Sequence, residues 1–338
     1  MENPSILNFG VSQTMSPSQF LRILTQPSAW KRRPLFAVLL ISAIAIIVGS
    51  LTTVAQNTRS TKVVVTFLPM YLFTKAVSGS SREVEILVPP NVTAHEYQAS
   101  PSDARKLAQA EILVKNGLGM ETFLSGLVAN AGNPQLKQID ASQGIEPLKE
   151  EDHDHDHGHS HDHDHSHAHA EGNPHVWLDP ILAQKQVENI REGLIAVDPK
   201  NAQTYRANAE AYIKQLQQLD QEFKSRLGSV QGCKFIALHD AYPYLAKRYN
   251  IQQMAVVELP EDSISPRDIQ RVISAVKEYN VQALLSEPGA NDSRLQQISN
   301  DVGLPVKTLD PIETGSLDPQ YYFTAMRKNL NTLEGICQ

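Results

Sequence analysis

Short apolar, often β-branched runs alternate with helical patterns twice along this chain, and few folds accept that order. In the first half the runs are KVVVTF (62–67), VEILVP (84–89) and EILVKNG (111–117), with a weaker LKQID (136–140). The second half repeats the plan with CKFIALH (233–239), MAVVEL (254–259), VQALLSE (281–287) and PVKTLD (305–310). Strands separated by helices predict parallel sheets covered on both faces. The fold class read from this pattern is α/β: two similar lobes with parallel four-stranded sheets, joined by one long connecting helix. A local repeat agrees with two lobes. Ser100-Pro101-Ser102-Asp103 and Ser265-Pro266-Arg267-Asp268 each offer a Ser N-cap, Pro at the first helical position and an acid in the first turn.

Between the lobes, residues 180–227 carry no strand signal and much Ala, Gln, Glu, Lys and Leu. Pro199 starts a helix there, with Tyr205, Tyr212, Leu216, Leu219 and Phe223 at helical spacing. From 199 to 227 it would span roughly 40 Å, long enough for a strut and too short in its apolar stripe for a coiled coil. The predicted organisation is an n-region and export signal or anchor over 1–55 and an N-terminal lobe over 56–179. A helical segment over 180–230 and a C-terminal lobe over 231–338 follow.

The export signal rests on Lys31-Arg32-Arg33 followed by an uncharged run, PLFAVLLISAIAIIVGS (34–50), and by Thr53-Val54-Ala55, which has the small residues of a cleavage site. A buried core helix would show a polar face, and this run has none. The expected location is periplasmic, with release by cleavage and an uncleaved inner-membrane anchor both left open. Two cysteines, Cys233 and Cys337, leave a single disulfide as an open alternative in an exported chain.

Histidine is distributed unevenly. Nine of the 12 histidines lie between 153 and 169, alternating with Asp, Ser, Gly and Ala: His153, His155, His157, His159, His161, His163, His165, His167 and His169. Imidazole suits borderline metals, so this loop (150–171) is read as a secondary, weak metal-binding segment. It also carries the charge: outside 150–171 the chain has 30 basic and 29 acidic residues, which leaves no basic surplus to attract nucleic acid. The other three histidines, His95, His175 and His239, fall where α/β sheets bind ligands. His95 follows one strand run, His239 follows another directly, and His175 enters the inter-lobe segment. Asp310 and Glu287 also end strand runs. Three imidazoles with one carboxylate form a donor set suited to zinc.

The segments HEYQASPSD (95–103), NPHVWLDP (173–180), LHDAYPYLAKRYN (238–250), SEPG (286–289) and TLDP (308–311) resemble the metal-specific solute-binding proteins of bacterial ABC importers, and most closely their zinc-binding periplasmic members. The resemblance runs from Lys62 to the C-terminus. It implies a non-enzymatic carrier with Zn2+ in a cleft between two lobes, held by His95, His175, His239 and Asp310, with Glu287 as the alternative fourth ligand. It further implies delivery to the membrane permease of an ABC importer, by a monomer whose His-rich loop collects or buffers metal. In the manganese branch the position of His239 is usually Glu, so His239 favours zinc over a manganese carrier. An exported metal-storage or adhesion protein is the other alternative. A zinc hydrolase would need an open water position and a base such as H-E-x-x-H supplies, and that motif is absent. Trp177 is expected to pack beside the site. Asp179 and Asp240 are each read as either a histidine-orienting group or a cap.

Overall fold

In a computed structural model of the chain, residues 62–148, 172–230, 232–237, 239–255, 266–290 and 293–338 are described. The export signal or anchor, the histidine tract and Ser265 lie outside these residues. Among the described residues no helix is long and apolar enough to cross a membrane. Residues Ser60–Gln338 form one unit.

The first lobe runs β1 (Val63–Val65), α1 (Leu68–Ser78), β2 (Val84–Ile86), α2 (Pro101–Gln109), β3 (Ile112–Lys115), α3 (Leu124–Ala131) and β4 (Lys137–Asp140). Two helices follow, α4 (Pro180–Val197) and α5 (Ala202–Leu227). The second lobe runs β5 (Lys234–Ala237), α6 (Pro243–Tyr249), β6 (Gln252–Ala255), α7 (Pro266–Glu278), β7 (Ala283–Ser286), α8 (Ser293–Val302), β8 (Val306–Thr308) and α9 (Tyr321–Cys337). All eight strands fall on or beside the predicted runs; β6 begins two residues before its run. The strand orders are β2-β1-β3-β4 and β6-β5-β7-β8, and every pairing is parallel. The second sheet therefore repeats the topology of the first.

Side chains alternate across each sheet because successive Cβ atoms point to opposite faces. Val63 and Val65 of β1, Ile112 and Val114 of β3, Phe235 and Ala237 of β5, and Leu285 of β7 enter one continuous core. Their sequence neighbours take the outer faces. Val64 and Leu113 pack with Leu107, Leu124 and Leu127, whereas Ile236 and Leu284 pack with Val272, Leu295 and Ile298. Burial on both faces explains why the strands read as continuous apolar runs.

The shared core is completed by α1, α4, α5 and α9. All five apolar residues predicted for the strut, Tyr205, Tyr212, Leu216, Leu219 and Phe223, are buried on α5. At 26 residues α5 is about 39 Å long. The predicted helix start at Pro199 is instead a separate turn of 3₁₀ helix, Pro199–Asn201, before α5 begins. Arg82 fixes that entry: its guanidinium meets Asp198, which also accepts the Tyr205 hydroxyl at 2.7 Å, and Arg82 pairs with Glu111 on the far side. Cys233 at the start of β5 is joined to Cys337 at the end of α9, which settles the open alternative in favour of a disulfide.

The N-terminus of α2 is built as the sequence predicts. The Asp103 carboxylate accepts from the Ser100 backbone N–H at 2.8 Å, the Ser100 hydroxyl at 2.6 Å and the Tyr97 hydroxyl at 2.7 Å. Burial opposes the charge on Asp103, but these donors outweigh it and hold the carboxyl at about 2. The cap fixes the chain just after the His95 loop.

Candidate metal centre

The three histidines outside the tract meet in one place. His95 leaves the loop after β2, His175 precedes a 3₁₀ turn (Val176–Leu178) that leads into α4, and His239 follows β5. Their ring centroids lie 4.7–5.3 Å apart. The carboxylate that joins them is Glu313, from the loop after β8. One donor atom from each of His95, His175, His239 and Glu313 lies within 4.8 Å of the others.

The spacing can be tested against a metal polyhedron. Zinc–ligand distances of about 2.0–2.1 Å place the vertices of a tetrahedron about 3.3–3.4 Å apart. His95 Nε2 and His175 Nε2 are 3.2 Å apart, and Glu313 Oε1 is 3.6 and 3.5 Å from them. Glu313 is 2% exposed, and neither of its oxygens has a hydrogen-bond partner among the described residues. A carboxylate stripped of water without a donor is costly, and a cation at this point would compensate it.

Asp310, the carboxylate expected from the sequence, is not one of the four. Its Oδ1 accepts the Ile312 N–H at 2.7 Å and its Oδ2 accepts the Tyr321 hydroxyl at 3.0 Å. Burial raises its pKa, in part against these bonds. The loop it braces contains Ile312 at φ +61°, a left-handed conformation that a β-branched residue rarely adopts. Trp177 helps to hold this turn by donating its indole N–H to the Pro311 carbonyl at 2.8 Å. The turn carries the chain from Asp310 to Glu313. The rule that ligands gather at strand ends already pointed to this loop; applied beyond its first carboxylate, it would have reached Glu313.

Glu287 is also not among the four. It faces the outer nitrogen of a histidine: His239 Nδ1 lies 3.0 Å from its Oε1, an arrangement that turns Nε2 toward the cluster. His175 has a matching arrangement, with Nδ1 3.1 Å from Asn173 Oδ1. Asn173 does more than this. Its amide donates to the Asp240 carbonyl at 2.6 Å and carboxylate at 3.1 Å, beside His239 in the other lobe. Its backbone N–H donates to Leu148 O at 2.9 Å, and Tyr244 ties both together by accepting Leu148 N–H and donating to Asn173 O. Gly172 is required there: at φ +89°, an added Cβ would lie 2.6 Å from Leu148 O. The two ends of the histidine-rich segment are thus closed next to His175. Glu287→Ala and Asn173→Ala are each expected to weaken zinc binding about 10–100-fold. Chelator competition measures this; wild-type affinity in both would show that the rings are oriented by other contacts.

The remaining expectations divide. Trp177 packs beside the site, with its ring 5.0 Å from His175 and edge-on to Phe67 at 5.1 Å. Asp179 is a cap, accepting from Ile181 N–H and Leu182 N–H at the start of α4 and pairing with Arg248. Asp240 acts through Asn173 and Gln253 rather than as a cap.

Residues 63–335 match the family model of the zinc-uptake complex component A, periplasmic (ZnuA). The chain belongs to this family. It is 33% identical over 279 residues to the high-affinity zinc uptake system protein ZnuA of Bacillus subtilis (strain 168), covering 80% of this chain and 86% of that protein. The Zn(II)-bound ZnuA-like domain of Streptococcus pneumoniae AdcA superposes with a TM-score of 0.69 at 29% identity, over 82% of this chain and 99% of that domain. The laminin-binding protein Lmb of Streptococcus agalactiae, described as bifunctional with adhesin and metal-transporting activity, gives a TM-score of 0.71 at 28% identity, over 82% of this chain and all of that one. The ZnuA family consists of solute-binding transport proteins, not enzymes, and its two-lobed fold is the one found here.

Proposed function

We propose that this protein captures one Zn2+ ion outside the cytoplasm, in the cleft lined by His95, His175, His239 and Glu313, and delivers it to the membrane permease of an ABC importer. The observation that carries the reading is the buried Glu313 carboxylate, without a hydrogen-bond donor among the described residues and set at polyhedron-edge distance from two imidazoles. Three nitrogens and one oxygen suit zinc better than manganese, which favours more and harder oxygen donors. Glu287 and Asn173 orient the rings. The residues of the histidine-rich segment, His153 to His169, act as weak tethered sites that rebind or buffer metal near the cleft, because their attachment points close beside His175.

Zinc titration tests both parts. The full-length protein is expected to bind one zinc tightly and further zinc weakly, and a variant lacking Asp152 to His169 is expected to keep only the tight site. Loss of the tight site on deletion would move the principal site into the tract and overturn the cleft assignment.

A further inference from the structure

Two buried carboxylates leave the same loop three residues apart, and their surroundings are opposite. Glu313 presents both oxygens without a hydrogen-bond donor among the described residues, whereas both oxygens of Asp310 are engaged. The main chain at Asp310 is fixed at both ends by Asn329, which accepts the Asp310 N–H at 2.8 Å and donates to its carbonyl at 2.7 Å. Only rotation of the side chain is left to Asp310. Its sequence neighbour shows that the loop lies against the site: the Pro311 carbonyl accepts the indole N–H of Trp177, whose ring lies 5.0 Å from that of His175.

The group that opposes such a rotation is Tyr321, at the start of α9. Its hydroxyl proton is shared between Asp310 Oδ2 at 3.0 Å and Thr314 O at 3.3 Å, so it grips the loop on both sides of Glu313. Its ring fills the space beside Gly315, where an added Cβ would fall 2.3 Å from the ring. Burial and the Asp310 charge push the phenol pKa up, so the hydroxyl remains a donor. We propose that Tyr321 is a specificity-determining residue: by holding Asp310 within the loop, it leaves Glu313 as the single oxygen donor and keeps the site at three nitrogens and one oxygen. The proposal deepens the zinc-site reading above and rests on it. Without the hydroxyl, Asp310 Oδ2 loses its partner in a buried position next to a cation. Turning toward the metal then becomes favourable, and a second oxygen donor makes the site harder and higher in coordination number.

Zinc and manganese affinities of the full-length protein, with melting temperatures as a folding control, test this in four variants. Glu313→Gln alone is expected to weaken zinc binding by about 100-fold, through loss of the only anionic ligand. Adding Tyr321→Phe is expected to restore about tenfold of that loss, because Asp310 takes the vacated position. Tyr321→Phe alone is expected to raise the manganese-to-zinc affinity ratio by about tenfold, and Tyr321→Phe with Asp310→Asn to cancel that rise. A merely structural role for Tyr321 would weaken both metals together and could not rescue Glu313→Gln. If Glu313→Gln loses zinc while the double variant binds no better and Tyr321→Phe leaves the ratio unchanged, the Tyr321 proposal is overturned and the zinc site stands. If Glu313→Gln binds zinc like the wild type, the four-residue site falls, and this proposal with it.

Discussion

His239→Ala is expected to weaken zinc binding by about three orders of magnitude and to abolish most of the thermal stabilisation that zinc confers. The reason is the placement of the cluster. His95 and His175 precede the long helix α5 in the chain and His239 and Glu313 follow it, so an ion held by all four ties the two lobes together. A ligand that binds only the folded form stabilises it by about 4 kcal/mol at a thousand times its Kd. Removing one of four ligands raises the Kd, and the stabilisation shrinks with it. His239→Glu is expected to retain metal but to shift preference toward manganese, since a nitrogen donor is replaced by a harder oxygen. His161→Ala, in the tract, is expected to do neither. Zinc and manganese affinities with melting curves for the three variants decide the matter. Zinc binding by His239→Ala at the wild-type level would remove the cleft from the mechanism altogether.

The fold was legible because the central strands β1, β3, β5 and β7 are buried on both faces. That burial leaves unbroken β-branched runs such as KVVVTF, and the alternation with helices then restricts the sheets to parallel ones. The meeting of the three histidines was legible for a related reason: imidazoles are scarce outside the tract, and strand ends are where α/β sheets place their sites. Which carboxylate joins them was not. Asp310 and Glu313 are both carboxylates in one loop, and what separates them is three-dimensional. Ile312 turns into the left-handed region, Asp310 spends its oxygens on Ile312 N–H and Tyr321, and Glu313 is left facing the rings. No local pattern announces that an isoleucine will adopt φ +61°. Glu287 also stands at a strand end, and there it faces Nδ1 of His239 from outside the cluster, a placement that its position in the sequence does not carry.

Removing the covalent link by Cys233→Ala with Cys337→Ala is expected to lower stability by about 4–5 kcal/mol, because the bridge closes a loop of 104 residues and restricts the unfolded chain accordingly. At about 2–4 °C per kcal/mol for a body of this size, the melting temperature should fall by roughly 10 °C or more. The site should feel this less than the fold does. Cys337 ends α9, whereas the groups that brace the loop of Glu313 sit between its start and its middle: Tyr321 on Asp310, Tyr322 donating to Trp177 O at 2.7 Å, and Asn329 on the Asp310 main chain. Those bonds, and the burial of Tyr322, Phe323, Met326 and Leu330 in the shared core, anchor the site end of α9 without the disulfide. Zinc affinity at 25 °C is therefore expected to stay within about threefold of the wild type, while the C-terminal turn of α9 frays and exchanges its amide protons faster. A melting temperature equal to that of the wild type would show that the bridge contributes nothing in solution. A large loss of zinc affinity would show that α9 transmits strain from its far end to the Asp310 loop, and that those bonds do not suffice to hold Glu313 in place.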